Sequence, residues 1–454
     1  MSRRLPLAVL AALALTTPVA RALPPTPLTE YSTSPNVRLL TNVPTGVGVG
    51  GKFSGGYYFQ TTARAGGYGT PDGVSDGGLW VFDVKNPESP QLAAHLPLPI
   101  WQNEDVDLSA KRKVLLISAD RRRPAAQTPT APGVLFVYDI AEPTRPVLKS
   151  AFPLPAEVTD ASGAAVGGAG HVANCILDCR YAYVTGARHG QLLVVDLADL
   201  AAPKVLGYVK TPAGTTTKAF PSSTHDVHTD KYGNVWVAGS GGTAMYAPIK
   251  DPLKPKLLAA TTAADNRRTN HLIHHNTMRL DKTTVLIGEE AFNGCGADEP
   301  AAHDDPQGGR FQTWRIDLKA KRLVPLDLFQ KVIPGVSSCS NHWFDLNASK
   351  VVADAFYAGG VRFLDVRNPR NIRQVGWFRA SDGAAGQAQY VPGRPDLVYV
   401  SDYLRGLDVI KIDAGGKNAK PAAEGDDAVA RVPAAKIEFR PSEDFGYACP
   451  VPVL

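Results

Sequence analysis

Beyond its N-terminus the sequence lacks long apolar segments, and it has no extended block of one charge. Beyond the N-terminus, no segment has the roughly 20 apolar residues that a membrane helix needs. The 48 Lys and Arg residues nearly balance the 43 Asp and Glu residues. The one dense basic run, Arg121-Arg122-Arg123, is far from the clustered basic face that binds nucleic acid. We therefore expect no transmembrane segment and no nucleic-acid partner.

Several catalytic motifs are also missing from the sequence. It contains no P-loop, HExxH or CxxCH pattern. These absences leave no support for a phosphate-loop nucleotide site or a c-type haem protein. Helical periodicity is absent too, and short apolar runs separated by turns take its place.

The N-terminus has the pattern of a secretory signal peptide. Arg3 and Arg4 precede an apolar stretch over residues 5–19, and Ala20-Arg21-Ala22 gives a cleavage site of the small-x-small type. Removal of residues 1–22 takes away three arginines and lowers the formal charge from +5 to +2. The sequence therefore predicts a periplasmic or secreted protein.

Five cysteines remain after this cleavage, and in an oxidising compartment they are expected to pair. Cys175 and Cys179 flank a turn between two predicted strands, where a small bridge is feasible. A bridge from Cys295 to Cys339 would hold a long loop over one face of the protein, and Cys449 would be left over. Sequence alone does not decide this pairing.

One sequence motif recurs along the chain. Each copy has an apolar and β-branched run, an Asp, a turn with Pro and a second apolar run, a pattern that predicts two strands joined by a tight turn. The good copies are LWVFDVKNPESPQL from Leu79, LFVYDIAEPTRPVL from Leu135, LLVVDLADLAAPKVLG from Leu192 and VRFLDVRNPRNIRQVG from Val361. A repeat of about fifty residues made of strands predicts an all-β propeller of four-stranded antiparallel blades.

Counting the strand groups predicts seven blades in one domain. The blades fall near residues 46–98, 101–155, 168–212, 223–262, 272–330, 339–380 and 384–413. Residues 37–40 could supply the missing outer strand of the last blade and so close the ring. We expect a monomer in which residues 23–413 form the propeller and residues 414–454 form a flexible linker and a C-terminal tail.

The recurring motif resembles the LVIVD repeat of secreted bacterial β-propellers. The similarity extends over residues 37–413, with four good copies among seven. It implies the propeller architecture but no particular activity.

Histidines cluster where the predicted blades begin. Seven of the ten lie in these short openings, and Glu104 and Gln387 lie at the openings of blades 2 and 7. Because the first strand of each blade lines the central channel, its opening residues meet at one mouth of that channel. The seven histidines are His171 in GHVANC, His225 and His228 in STHDVHTD, His271, His274 and His275 in NHLIHHNTMRL, and His342 in SNHWFDL.

These histidines predict a metal site on the propeller axis. Neutral imidazole is a common ligand of copper, iron and zinc. The predicted ligands are His171, His225, His275 and His342, with His228 and His274 as substitutes. Glu289 and Glu290 are the candidate catalytic residues, as outer-sphere partners or proton carriers. Other acids that could orient the rings are Glu104, Asp226, Asp230 and Asp345. The corresponding function is a copper- or iron-dependent oxidoreductase with a small-molecule substrate; zinc is a third option.

A structural reading of the same histidines stays open. A ring at the start of an inner strand can bond the backbone of the next blade and lock the two together. The protein would then be a non-catalytic propeller that presents its mouth to an envelope or extracellular partner. Converging rings favour the metal site, and rings bonded to the next blade favour the structural role.

The segment HHNTMRLDKTTVLIGEE, residues 274–290, is similar to a His-Asn-x-Met stretch of the selenium-binding-protein and methanethiol oxidase family. The matching positions are His275, Asn276, Met278 and Glu289 or Glu290. Bacterial members of that family are exported copper enzymes with seven-bladed propellers that oxidise a small thiol. The resemblance implies copper and oxidase chemistry at this segment.

Overall fold

The computed structural model describes residues 30–63, 77–98, 106–119, 133–159, 165–167, 170–186, 190–214, 224–269, 273–290, 309–331, 333 and 340–423. The regular structure in these ranges is almost entirely β. The exceptions are the helix α1 (Ala263–Thr269) and 3-10 turns at Pro212–Gly214 and Asp413–Gly416. Within these ranges, no helix has both the length and the apolar character needed to cross a membrane.

The described part of the chain begins with two strands that pair with strands far along the sequence, β1 (Tyr31–Thr33) and β2 (Val37–Val43). Antiparallel sheets of consecutive strands follow. The first sheet contains β3 (Val47–Ser54), β4 (Tyr57–Ala63), β5 (Gly78–Asp83) and β6 (Gln91–Pro97). The second contains β7 (Val106–Ser109), β8 (Val114–Ala119), β9 (Val134–Asp139) and β10 (Val147–Pro153).

A small hairpin separates the second sheet from the third. It consists of β11 (Ala156–Thr159) and β12 (Ala165–Gly167). The third sheet contains β13 (Ala173–Ile176), β14 (Tyr181–Val184), β15 (Leu192–Asp196) and β16 (Lys204–Val209).

Two further groups of four strands are joined at their outer edges by a parallel bridge between Ala260 and Arg322. The first group is β17 (Thr224–Thr229), β18 (Val235–Gly239), β19 (Gly242–Tyr246) and β20 (Leu257–Ala260). The second is β21 (Ile273–Arg279), β22 (Thr284–Glu290), β23 (Phe311–Asp317) and β24 (Arg322–Phe329).

The last two sheets take in the N-terminal strands. β1 pairs with β28 and β2 pairs with β31, both antiparallel. The pairing of β2 confirms that residues 37–40 supply the outer strand of the last sheet, whereas the added strand β1 was not predicted. The remaining strands are β25 (Phe344–Leu346), β26 (Val351–Ala355), β27 (Val361–Asp365), β28 (Arg373–Ala380), β29 (Ala385–Val391), β30 (Arg394–Asp402) and β31 (Gly406–Ile412).

The recurring aspartate has a local structural role. In each good copy of the repeat it ends the third strand of its sheet, and its Oδ1 accepts the backbone N–H of the residue two positions later. This side-chain turn ends the strand and starts the reversal into the outer strand. The four aspartates are Asp83, Asp139, Asp196 and Asp365, with N···O distances of 2.7–3.0 Å.

The hydrophobic core lies between neighbouring sheets. Phe59 and Leu79 of the first sheet pack with Leu115 and Ile117 of the second, and the same arrangement recurs along the chain. The first strand of each sheet contacts the first strand of the next, and β29 contacts β3. These first strands therefore enclose a common axis, as in a β-propeller.

The disulfide between Cys175 and Cys179 is present, as predicted, at the turn between β13 and β14. The other three cysteines, the predicted signal segment over residues 1–22 and the tail beyond residue 423 lie outside the described residues.

Candidate metal centre

The axial histidines of two sheets sit at breaks in strand pairing. The register between β17 and β18 shifts at His225, and the register between β21 and β22 shifts at His275. Each histidine is the extra residue of a β-bulge, a device that re-aims a side chain.

The other two axial histidines show the same backbone pattern. The N–H of His171 donates to Thr185, whose own N–H donates to the residue after the histidine. Likewise, the N–H of His342 donates to Ala355, whose N–H donates to the carbonyl of Trp343. In both places, two residues of the first strand face one residue of the second.

The four predicted ligands come together. The ring centroids of His171 and His225 are 4.4 Å apart, those of His225 and His275 are 4.0 Å apart, and those of His275 and His342 are 4.1 Å apart. The Nε2 atoms of His171 and His225 are 2.8 Å apart. All four residues are buried, with at most 8% of their surface exposed.

Backbone carbonyls determine which ring nitrogens carry protons. Nδ1 of His225 lies 3.1 Å from the carbonyl oxygen of His275, and Nδ1 of His342 bonds the carbonyl oxygen of Gly386. Because a carbonyl only accepts, both Nδ1 atoms carry a proton, and in the neutral form of each ring Nε2 keeps a lone pair. At 2.8 Å, the Nε2 atoms of His171 and His225 share either a proton or a cation.

The environment keeps His275 neutral. Burial lowers its pKa well below the usual 6.5, and the neighbouring rings of His225, His342 and His171 lower it further. A neutral imidazole has the free lone pair that a metal ion requires.

Glu290 joins the cluster and Glu289 does not. Oε2 of Glu290 lies 3.8 Å from Nε2 of His275, and its other oxygen accepts a hydrogen bond from the phenol of Tyr357. One donor atom each from His225, His275 and Glu290 lie within 4.8 Å of one another. Glu289 instead accepts a hydrogen bond from Nε2 of Gln312, at 3.2 Å.

The two substitute ligands point elsewhere. Nδ1 of His274 lies 2.9 Å from Oγ1 of Thr243. The side chain of His228 is 23% exposed, and its Nδ1 lies 3.5 Å from Oδ2 of Asp226. His271 and Glu104 lie outside the described residues.

The other predicted acids serve different groups. Asp230 accepts a hydrogen bond from Nε1 of Trp236 at 2.9 Å, and Asp345 accepts the backbone N–H of Tyr390 at 2.9 Å. Both contacts stabilise the strands around the axis rather than the axial rings.

Aromatic rings cover the histidine cluster. The Trp343 ring lies 5.2 Å from that of His275, and the rings of Tyr357 and Tyr403 lie 4.7 and 6.0 Å from that of His342. Sequence reasoning missed the hydrogen bond from Tyr357 to Glu290. The signal was weak: a bulky residue in the sequence FYAGG, beside two glycines.

A cavity of about 900 Å³ runs along the axis on one side of the cluster. Its walls include His228 and the residues that directly follow three of the axial histidines, namely Asp226, Asn276 and Trp343. The cavity is therefore next to the cluster and is lined by the same inner strands.

Comparisons with known proteins agree with this architecture. A family model described as the LVIVD repeat matches residues 169–211. The search of curated proteins gives no match.

Two solved structures similar to this chain are propellers. The crystal structure of RRP9 WD40 repeats is 11% identical, with a TM-score of 0.50 over 84% of this chain and 100% of that chain. The Cps50 (Swd1) beta-propeller domain of Myceliophteria thermophila is 13% identical, with a TM-score of 0.51 over 83% of this chain and 99% of that one. At these identities the similarity concerns the fold alone, and the fold of this chain is a β-propeller.

Proposed function

We propose that this chain is an exported metal-binding β-propeller with seven blades, and that its axial histidines hold copper or iron for an oxidoreductase reaction. The observation that carries the proposal is the convergence of four buried imidazoles from four sheets. Nitrogen ligands of this kind suit copper, iron and zinc.

The surroundings of the rings fit a bound ion. Histidines that ligate a metal usually donate their second ring N–H to a carbonyl or carboxylate, which orients the ring and strengthens its lone pair. His225 and His342 make such bonds to the carbonyl oxygens of His275 and Gly386. The low pKa of His275 favours its binding form at neutral pH.

An ion in this site would supply Lewis-acid or redox chemistry. The residues of the chain would do the rest. The carbonyl-bound rings of His225 and His342 hold the nitrogens in place, and burial excludes bulk water. Glu290 supplies a carboxylate at the same point. The cavity next to the cluster has room for a small-molecule substrate.

Features of the structure and of the sequence support the finer parts of this proposal. The circle of contacts between first strands, together with the repeat count, supports seven blades. The signal-peptide pattern over residues 1–22 supports export. The local similarity of residues 274–290 to copper-containing thiol oxidases supports redox use of the metal.

A second candidate function has its own support. The Nδ1 bonds of His225 and His342 cross from one sheet to the next, which is how structural histidines would lock neighbouring blades. In that case the protein is a non-catalytic binding propeller. The same bonds serve a metal ligand, so an experiment has to separate the two functions.

The test is elemental analysis of the exported, tag-free protein and of a His225→Ala, His342→Ala double variant. We expect about one equivalent of copper, iron or zinc in the parent and its loss in the variant. His228→Ala is the control, because that ring faces the cavity from the same strand as His225. A metal-free parent whose double variant loses thermal stability would support the structural role and reject the oxidoreductase.

A further inference from the structure

We propose that Glu290 is a ligand of the axial ion together with His225 and His275, that Tyr357 positions its carboxylate, and that the site is built for iron(II). This inference rests on the proposed metal-binding function. It makes Glu290 a ligand of the ion rather than a proton carrier beside the ion.

The first argument is the arrangement of donor atoms. A nitrogen of His225, a nitrogen of His275 and an oxygen of Glu290 lie within 4.8 Å of one another. All three residues are buried, and Glu290 and His275 are fully so. The distance of 3.8 Å between Oε2 of Glu290 and Nε2 of His275 is longer than a direct hydrogen bond. Both atoms can instead face one ion.

The second argument is the charge of the site. A fully buried carboxylate is costly unless a cation or several hydrogen bonds stabilise it. The phenol of Tyr357 donates one hydrogen bond to this carboxylate, and a divalent ion bound beside Oε2 would supply two positive charges.

The third argument is the backbone of Tyr357. This residue has a φ of 45°, in the left-handed region that bulky residues rarely adopt. Its backbone N–H and carbonyl both bond Ala385, so the main chain is held between two sheets. A strained position that is retained by its surroundings is typical of functional sites.

The strained backbone places the tyrosine ring over the cluster. The ring packs 4.7 Å from that of His342, and the phenol donates to Oε1 of Glu290. This bond engages one carboxylate oxygen and leaves Oε2 on the side of His275. Tyr357 thus acts through Glu290 and is a positioning residue.

The donor set indicates the class of metal. His225, His275 and Glu290 supply the two imidazoles and one carboxylate that non-haem iron(II) sites use, and the rings of His171 and His342 lie beside them. Copper(I) prefers soft sulfur ligands, and the described part of the cluster offers none. The carboxylate should therefore matter more for iron(II) than for copper(II), which binds nitrogen ligands tightly on its own.

The test is metal titration of the metal-free full chain against a competing chromogenic chelator. Iron(II) is titrated without oxygen and copper(II) separately. We expect Glu290→Gln to weaken iron(II) binding at least about 100-fold, more than the effect typical of losing an outer partner, and copper(II) binding by a smaller factor. Tyr357→Phe should weaken iron(II) binding about 10-fold to 100-fold.

Two variants serve as controls. Glu289→Gln changes a neighbouring buried glutamate that bonds Gln312, and its iron(II) affinity should match that of the parent. Tyr183→Phe removes a buried phenol that donates to the carbonyl of Pro252, a residue in the turn between β19 and β20. This variant loses a phenol hydrogen bond, as Tyr357→Phe does, but it should leave the iron(II) affinity unchanged. The visible spectrum of the cobalt(II) form reports the ligand set directly and should change in Glu290→Gln.

The outcomes separate this inference from the proposed function. If the parent binds metal but Glu290→Gln keeps its iron(II) affinity and its cobalt(II) spectrum, Glu290 is not a ligand, while the histidine site stands. An equal loss for iron(II) and copper(II) overturns the assignment to iron. A parent that binds none of the three ions overturns both proposals.

Discussion

Nδ1 of His225 lies 3.1 Å from the carbonyl oxygen of His275, so the ring of one sheet is bonded to the bulge of the next. We expect His225→Ala to lower the free energy of unfolding of the metal-free protein by about 3 kcal/mol. The loss combines a buried hydrogen bond with the packing of a buried ring. Urea unfolding in the presence of a chelator measures it.

His228→Ala is the comparison for this prediction, since its side chain lies in the same strand but is 23% exposed. Its loss of stability should be smaller. Equal losses for the two variants would mean that the contact between His225 and His275 contributes little to holding the sheets together.

Substitution of Gly406 should destabilise the protein. This glycine lies where the N-terminal strand β2 joins the last sheet. Its φ is +91°, and a Cβ there would lie 2.4 Å from the backbone nitrogen of Thr45. Gly393, in the same sheet, has a φ of +78° and open space around the Cβ position. We expect Gly393→Ala to cost about 1 kcal/mol from backbone strain, and Gly406→Ala about 3 kcal/mol because a clash is added. Thermal and urea unfolding of both variants would reveal the difference, and equal costs would contradict it.

The pH dependence of stability should reflect Asp402. Burial raises the pKa of its carboxyl to about 7, and the negative charge of Asp408 adds to the shift. Between about pH 4 and pH 7 the folded protein keeps a proton that the unfolded chain has released, so the unfolded chain binds fewer protons. Stability therefore falls as the pH rises through this window and levels off above pH 7.

Asp402→Asn tests this prediction, because it removes the titration and keeps a side-chain oxygen for the N–H groups of Ala384 and Leu404. We expect a decline of a few kcal/mol in the parent over this window and a flatter profile in the variant. Urea unfolding from pH 4 to pH 8 gives both profiles. The same slope in the two proteins would assign the proton to another group.

Much of the architecture could be predicted from the sequence because the repeat records local structure. An Asp that accepts a backbone N–H two residues later, followed by Pro, is a turn signal that needs no knowledge of the rest of the fold. Asp83 and Asp365 show the same turn in sheets far apart in sequence. Once the turns are placed, the apolar runs between them are the strands.

The axial histidines could also be predicted, since the start of a first strand always lies at one mouth of the channel. The choice among neighbouring histidines was harder. His274 and His275 differ by one position, and a bulge decides which of them faces the axis. Such a bulge is a property of the assembled sheet, and the identity of the residues does not indicate its position.

The partnership between Glu290 and Tyr357 was beyond sequence reasoning. The two residues lie 67 positions apart, in different sheets. Their contact depends on the left-handed backbone of Tyr357, which two backbone hydrogen bonds to Ala385 hold in place. The sequence favoured neither Glu289 nor Glu290, whereas the structure places Glu290 rather than Glu289 at the histidine cluster.

The pairing of β2 with β31 has a consequence for how the chain is made. Arg38 and Asp413, which form an ion pair beside this pairing, are separated by 375 positions. During synthesis β2 leaves the ribosome early and waits, with its edge unpaired, until nearly all of the remaining strands have followed. Such distant pairing makes folding slow, and the waiting edge is open to other chains. A partner that shields β2 in the interval would raise the yield of native protein without touching its final stability.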